Sequence, residues 1–185
     1  MEIVILNLDK DTERLQQSTE ELAAHGLSFK RIPGILDSDK ARGFSRAMIS
    51  ALEAIPDGGI IFEDDIQLED FYIPRLPSGW DMLYFGANLQ GNTRRIRRDL
   101  VQLTAAWTTH AILYSGKAVK KILEEYRYQE HGIYDNWLKE DFIRRNKCYM
   151  VTPMIAYQRP DDSRLFGGWA DYRQVMDENY SRYVK

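Results

Sequence analysis

Gly58-Gly59-Ile60-Ile61-Phe62-Glu63-Asp64-Asp65-Ile66 joins a short apolar run to three consecutive carboxylates. A run of this length, bounded by glycines, reads as a buried strand. Three acids crowded at its end repel one another unless a cation or a set of donors neutralises them. The stretch therefore predicts a divalent metal holding a polyanionic ligand at the edge of a sheet. The plainer alternative is an acidic turn or a helix N-terminus, where aspartate is common. A cap, however, normally uses one acid and not three.

Upstream, Glu2 to Leu8 reads as an apolar strand with a polar exit, Asn7-Leu8-Asp9-Lys10-Asp11. A helix pattern runs from Thr12 to about Ala24 and stops at Gly26, and Ser28 to Ile32 forms a second short strand before Pro33-Gly34. Helical spacing of Phe44, Ala47, Met48, Ala51, Leu52 and Ile55 leads to the break at Pro56 to Gly59. The order strand, helix, strand, helix, strand predicts an α/β fold with a mostly parallel central sheet flanked by helices. Ligands in such sheets sit beyond the carboxyl ends of the strands, where Asn7 to Asp11 and Glu63 to Asp65 both fall.

Downstream, Trp80 to Gly86 and Ala111 to Tyr114 read as strands, and Ala87 to Leu100 as a polar loop or hairpin. A helix follows Ser115-Gly116, another covers Tyr134 to Ile143, and Tyr149 to Ala156 is a final strand. The 185 residues fit one domain, 1–185, with no linker, repeat or low-complexity tract. A net charge of −3 gives no global basic character to attract nucleic acid. The single cysteine, Cys148, excludes an internal disulfide and suits a reducing compartment. No apolar run reaches the roughly 20 residues of a membrane span. The first residues lack the basic region of a signal peptide. A cytoplasmic location is the expectation.

Several segments match one enzyme family in order. They are Ile5-Leu6-Asn7-Leu8-Asp9 with Arg14, Phe29 to Gly34, Gly43-Phe44-Ser45-Arg46 with Ala51-Leu52, and Ile61-Phe62-Glu63-Asp64-Asp65-Ile66. Trp80 to Gly86, Thr109 to Ser115 and Tyr134-Asp135-Asn136-Trp137-Leu138 follow. The chain thus resembles glycosyltransferase family 25, the lipooligosaccharide and collagen galactosyltransferase group of GT-A fold, as a short member of phage type. The resemblance covers 3–158; the tail, 159–185, including Pro160-Asp161-Asp162-Ser163-Arg164, follows it only loosely.

The resemblance implies inverting transfer of a hexose or pentose from a UDP-sugar to a hydroxyl, with Mn²⁺ or Mg²⁺ as Lewis acid at the diphosphate. Asp65, then Glu63, are the expected metal contacts, and Asp64 is expected at the ribose or donor sugar. Asn7, Leu8 and Arg14 would line the nucleotide pocket, with Arg14 or Arg46 meeting phosphate. After His131 no histidine remains to serve the metal, so Asp161, Asp162, Gln158 or water would complete its shell.

Asp135 is the expected base, with a helix N-cap as its alternative role. His110 would contact donor or acceptor, although strand histidines are more often structural. Trp107 is expected as an acceptor platform or a core residue. Trp137 and Cys148 are expected in the core. Arg94 and Arg95, with Arg97 and Arg98, form either a solvated loop or a surface gathering an anionic acceptor. That acceptor is a glycan such as lipooligosaccharide, or a hydroxymethylated DNA base. A non-catalytic nucleotide-sugar-binding module is the competing class.

Overall fold

The computed structural model describes residues 1–162 and 167–184. The chain begins β1 (Glu2–Asn7), α1 (Thr12–Ala24), β2 (Lys30–Pro33), α2 (Lys40–Glu53) and β3 (Gly58–Glu63), the alternation its sequence predicts. Short strands follow: β4 (Ile66–Leu68), β5 (Met82–Tyr84), β6 (Asn88–Leu89), β7 (Arg94–Arg97), β8 (Leu100–Gln102), β9 (Ala106–Trp107) and β10 (Ala111–Ser115). Then come α3 (Gly116–Glu125), α4 (Tyr128–His131) and α5 (Tyr134–Trp137), the last running through a π turn (Leu138–Phe142) into α6 (Ile143–Arg145). The chain closes with β11 (Cys148–Val151), β12 (Ala156–Gln158), β13 (Asp161–Asp162), β14 (Trp169–Ala170) and α7 (Arg173–Tyr183). Ser163 and Arg164 of the tail motif lie outside the described residues.

Eight strands form one sheet in the order β2-β1-β3-β10-β5-β11-β8-β7. β2, β1 and β3 run parallel, as expected. β10 is antiparallel to both of its neighbours, and β11 is parallel to β5 but antiparallel to β8. The sheet is therefore mixed, which corrects the expectation of a mostly parallel one. The reason lies in the stretch from β3 to β10, where loops and hairpins replace the helical crossover that parallel neighbours require, so β10 enters the sheet antiparallel to β3. The expected strand from Tyr149 to Ala156 is likewise two strands, β11 and β12, and β12 pairs with β4 outside the main sheet.

Alternation along the strands buries both faces. Val4, Leu6 and Ile61 point to one side, against α2 and α3 residues such as Met48, Leu52 and Ile122. Ile5, Ile60 and Phe62 point to the other, against Leu22 of α1 and the β4–β12 pair. Trp137 and Cys148 are buried in the first of these cores. Among the described residues no helix is long and apolar enough to cross a membrane.

Two glycines mark where backbones meet. A Cβ on Gly43 would lie 2.5 Å from the carbonyl oxygen of Ile35, so α2 packs directly on the loop leaving β2. On Gly86 it would lie 1.9 Å from the carbonyl oxygen of Ala156, so β12 crosses against the end of β5. Helix α2 starts earlier than the apolar spacing indicates, because Asp39 caps it by accepting from the Arg42 N–H at 3.2 Å. Tyr128 also donates to the Asp39 carboxylate at 2.6 Å.

Candidate active site

A cleft of about 1020 Å³ opens beyond the carboxyl ends of β1 and β3, and both polar strand exits line it. Its floor is the acidic turn. Glu63 accepts from the Thr109 hydroxyl at 2.7 Å. The Asp64 carboxylate takes one hydrogen bond from Asn7 Nδ2 at 2.8 Å and one from Arg14 at 3.0 Å. Asp65 takes one from Gln158 Nε2 at 3.2 Å through Oδ2, while its buried Oδ1 has no partner. Across from this turn stands Asp135 on α5, whose Oδ1 is also buried and without a partner.

Helix α5 is set by Ser45, one of the residues of the family-like segment on α2. The Tyr134 N–H donates to the Ser45 hydroxyl at 3.2 Å, and that hydroxyl donates to the Ala41 carbonyl at 2.8 Å. Asp135 is not a cap, which settles its alternative role: the capping position is Ile133, and Asp135 lies in the first turn. The Trp107-Thr108-Thr109 corner holds its carboxylate through hydrogen bonds from Thr109 and Thr108. Thr108 has φ of 72°, in the left-handed region that β-branched residues rarely adopt.

Crowding and burial disturb the carboxylates of this site. Burial, with the neighbouring Asp64 charge, raises Asp65 to about 6, against the pull of Arg14 and Gln158. Burial raises Asp135 to about 6, opposed by hydrogen bonds from Thr109 and Thr108. Glu63 is raised well above the ordinary carboxylate range by burial and then by the charges of Asp65 and Asp135. Asp64 is raised by burial despite Asn7 and Arg14. One buried guanidinium thus faces a group of acids that it cannot neutralise.

Arg14 itself is spent on protein acceptors. Besides Asp64, it donates to Asp161 at 2.8 Å and to the Asp162 carbonyl at 2.9 Å. It ties the acidic turn to the tail, and its charge is already matched by two carboxylates. The Asn7 side chain is committed too: Nδ2 also donates to the Asp11 carbonyl, and Oδ1 accepts from Arg31. Asn7, Asp64 and Arg14 therefore line the cleft as a wall braced by protein partners.

Other expected residues separate in the same way. Leu8, Trp107 and Gln158 line the cleft with Asp161 and Asp162. Arg46 does not; it is exposed on α2 and pairs with Asp37 at 3.7 Å. His110 is wholly buried, bonded through Nε2 to the Ala156 carbonyl at 3.2 Å. Burial lowers it to about 4, so it is neutral and out of reach of a ligand. Arg94 and Arg95 lie on β7, the far edge of the sheet. Five strand spacings separate β7 from β3, about 24 Å at about 4.8 Å each, so these arginines do not line the cleft.

Asn88, Thr108, Thr109, Asn136 and Arg159 line the cleft without having been singled out from sequence. Only Thr109 and Asn136 carried a signal, as neighbours of His110 and Asp135 in family-like segments. Among the described residues, no three His, Cys, Asp or Glu side chains form a ready-made metal cage.

No protein-family model matches the sequence, and no curated protein does. Solved structures align with this chain. A crystal structure of a glycosyltransferase involved in the glycosylation of the major capsid of PBCV-1 aligns over 81% of this chain and 81% of its own, with TM-score 0.50 and 12% identity. A putative glucose-1-phosphate thymidylyltransferase from Bacillus anthracis, in complex with a sucrose, aligns over 97% of this chain and 75% of its own, with TM-score 0.48 and 14% identity. The first of these establishes a likeness of fold, that of a glycosyltransferase.

Proposed function

We propose that this chain is a glycosyltransferase that moves a sugar from a UDP-sugar to a hydroxyl acceptor, with inversion and with Mn²⁺ or Mg²⁺ assisting. The observation that carries the reading is the Glu63-Asp64-Asp65 turn facing Asp135 across one cleft at the carboxyl ends of β1 and β3. The fold shared with the capsid glycosyltransferase supports it.

The donor set fits a hard cation held partly by a ligand. Such ions take oxygen ligands, and Mg²⁺ is commonly held by one or two carboxylates with substrate phosphates and water completing the shell. Asp65, with its unpartnered Oδ1, and Glu63 would hold the ion, with Gln158 beside them. That arrangement needs no cage of three protein carboxylates. When bound, the ion stabilises the charge that grows on the departing diphosphate.

Asp135 carries the proton. At neutral pH a carboxyl raised to about 6 is ionised yet basic enough to accept from a hydroxyl. Its free Oδ1 takes the proton as the acceptor oxygen bonds to the anomeric carbon. The bond from that carbon to the diphosphate breaks on the opposite face. Thr108 and Thr109 hold Asp135 in place, and Arg14 keeps Asp64 from drawing the cation away by occupying one of its oxygens.

Calorimetric titration with UDP, with and without Mn²⁺, tests the reading. The wild type is expected to bind UDP in a Mn²⁺-dependent way, and Asp65→Ala to lose that dependence. Absent UDP binding, or an unchanged Asp65→Ala titration, sinks the assignment. Asp135→Asn is expected to bind UDP and lose turnover.

A further inference from the structure

The cleft wall next to Asp135 is built by β6 and β9. These strands are antiparallel with Asn88 directly opposite Trp107. Opposed residues project from the same face of a ribbon, and both side chains line the cleft. Asn88 Oδ1 accepts from Asn179 of α7 at 2.7 Å and from Gln90 at 3.1 Å. With its carbonyl end held twice, its NH₂ end turns away from the protein network.

Asn136 repeats the pattern. Trp107 Nε1 donates to Asn136 Oδ1 at 3.1 Å, and an indole N–H can only donate, so the orientation of this amide is fixed. Among the described residues no protein acceptor takes the NH₂ group of either asparagine. Two oriented amide donors therefore flank one indole. Lys139 sits 4.0 Å above that ring and pairs with Glu140 at 2.7 Å, so its charge is engaged.

We propose that Asn88, Trp107 and Asn136 form a binding site for an uncharged pyranose ring of the acceptor. The indole offers an apolar surface to the ring's C–H face, and the two amides donate to hydroxyl oxygens. Asp135, adjacent to Asn136 in the chain, repels a phosphate or a nucleic-acid backbone and tolerates a neutral polyol. A hydroxyl that accepts from Asn136 keeps its own proton free for the neighbouring carboxylate, so recognition and deprotonation meet at one oxygen. The cleft, about 1020 Å³, is at the upper end of the ~300–1,000 Å³ usual for one ligand, which leaves room for donor and acceptor together. The proposal rests on the glycosyl-transfer reading and names the acceptor class for the same site.

Saturation-transfer NMR tests it, with methyl β-galactopyranoside and methyl β-glucopyranoside as probes on protein loaded with UDP and the diamagnetic Mg²⁺. At least one glycoside is expected to receive saturation. Asn88→Asp and Asn136→Asp keep the oxygen that the protein uses and replace only the NH₂ group. Each is expected to weaken that glycoside by about tenfold; Asn88→Ala, which adds no charge, is expected to do the same while leaving UDP affinity unchanged, and serves if an aspartate variant fails to fold.

No saturation of either glycoside in the wild type overturns the proposal, as does undiminished saturation in all three variants. Weakened UDP-glucose or UDP-galactose relative to UDP, with glycoside binding intact, gives the wall to the donor sugar and overturns the acceptor assignment. Glycoside binding that the variants abolish in a protein that never binds UDP keeps the sugar site and removes the nucleotide-sugar reading instead.

Discussion

Asp135→Asn is expected to make the ligand-free protein more stable at neutral pH, although it removes the proposed base. The carboxyl is raised from 3.8 to about 6, chiefly by burial. The native state therefore binds its proton more tightly than the unfolded chain does. Between about pH 4 and pH 6 the native state holds more protons, so stability is greatest below the unfolded value and falls as pH rises through the folded one. At about 1.4 kcal/mol per pH unit, the difference corresponds to roughly 3 kcal/mol at most. The side chain keeps some solvent contact, so about 2 kcal/mol is the working figure.

An asparagine carries no such charge and loses this pH dependence. Urea unfolding with EDTA present, followed from about pH 4 to about pH 7, reads the effect, and removing the Asp135 charge also eases ionisation of Glu63, which adds to the variant's gain in the same direction. The two stability curves should converge at the acid end and separate towards neutrality, the variant being the more stable. A variant less stable than the wild type at neutral pH, or a gap independent of pH, refutes the claim that Asp135 is ionised against its surroundings.

Arg14→Met should cost about 3–5 kcal/mol, the usual penalty for stranding a buried charge, here Asp64. Adding Asp64→Asn should restore part of it; a loss below about 1 kcal/mol in the denaturant midpoint removes the bracing role. At position 108, glycine relieves a left-handed strain of about 1–2 kcal/mol, offset by about 0.5–1 kcal/mol of backbone entropy. Thr108→Ala keeps the strain and loses the hydroxyl that accepts from the Asn88 N–H. Thermal unfolding should rank Thr108→Gly above Thr108→Ala, with turnover reduced in both; the reverse ranking contradicts the strain.

What the sequence discloses of this molecule tracks how local the determining physics is. The helix over Thr12 to Ala24 and the strand over Ile60 to Phe62 rest on spacing and breakers within one window; the helix appears with those bounds, and the strand extends to Gly58–Glu63. The mixed sheet depends on which strand is laid beside which after Ile66, and no window of sequence carries that. The same limit explains the site. Glu63, Asp64 and Asp65 announce themselves because they are adjacent, and Asp135 by its family-like setting.

Which of these acids is already paired was invisible, because the pairing partners come from elsewhere in the chain: Asn7, Arg14 and Gln158. His110 shows the converse. Its side chain was readable as chemistry, but its burial against Ala156 was not. Asn88 gave no local signal at all, since its role follows from a two-residue ribbon and from an α7 residue distant in the chain.

The ends of the eight-stranded sheet have a consequence for how the molecule behaves in company. Its outermost strands are β2, Lys30-Arg31-Ile32-Pro33, and β7, Arg94-Arg95-Ile96-Arg97. β2 carries two cations and β7 three, each beside a lone isoleucine, and β2 adds a proline that cannot donate. An open edge offers unpaired backbone groups to any passing strand, and charge or proline is the common deterrent. Two copies meeting edge to edge would bring cations against cations whichever pair of edges approached. The arginine run that looks like a ligand trap in one dimension acts, at the border of the sheet, as a barrier to self-association.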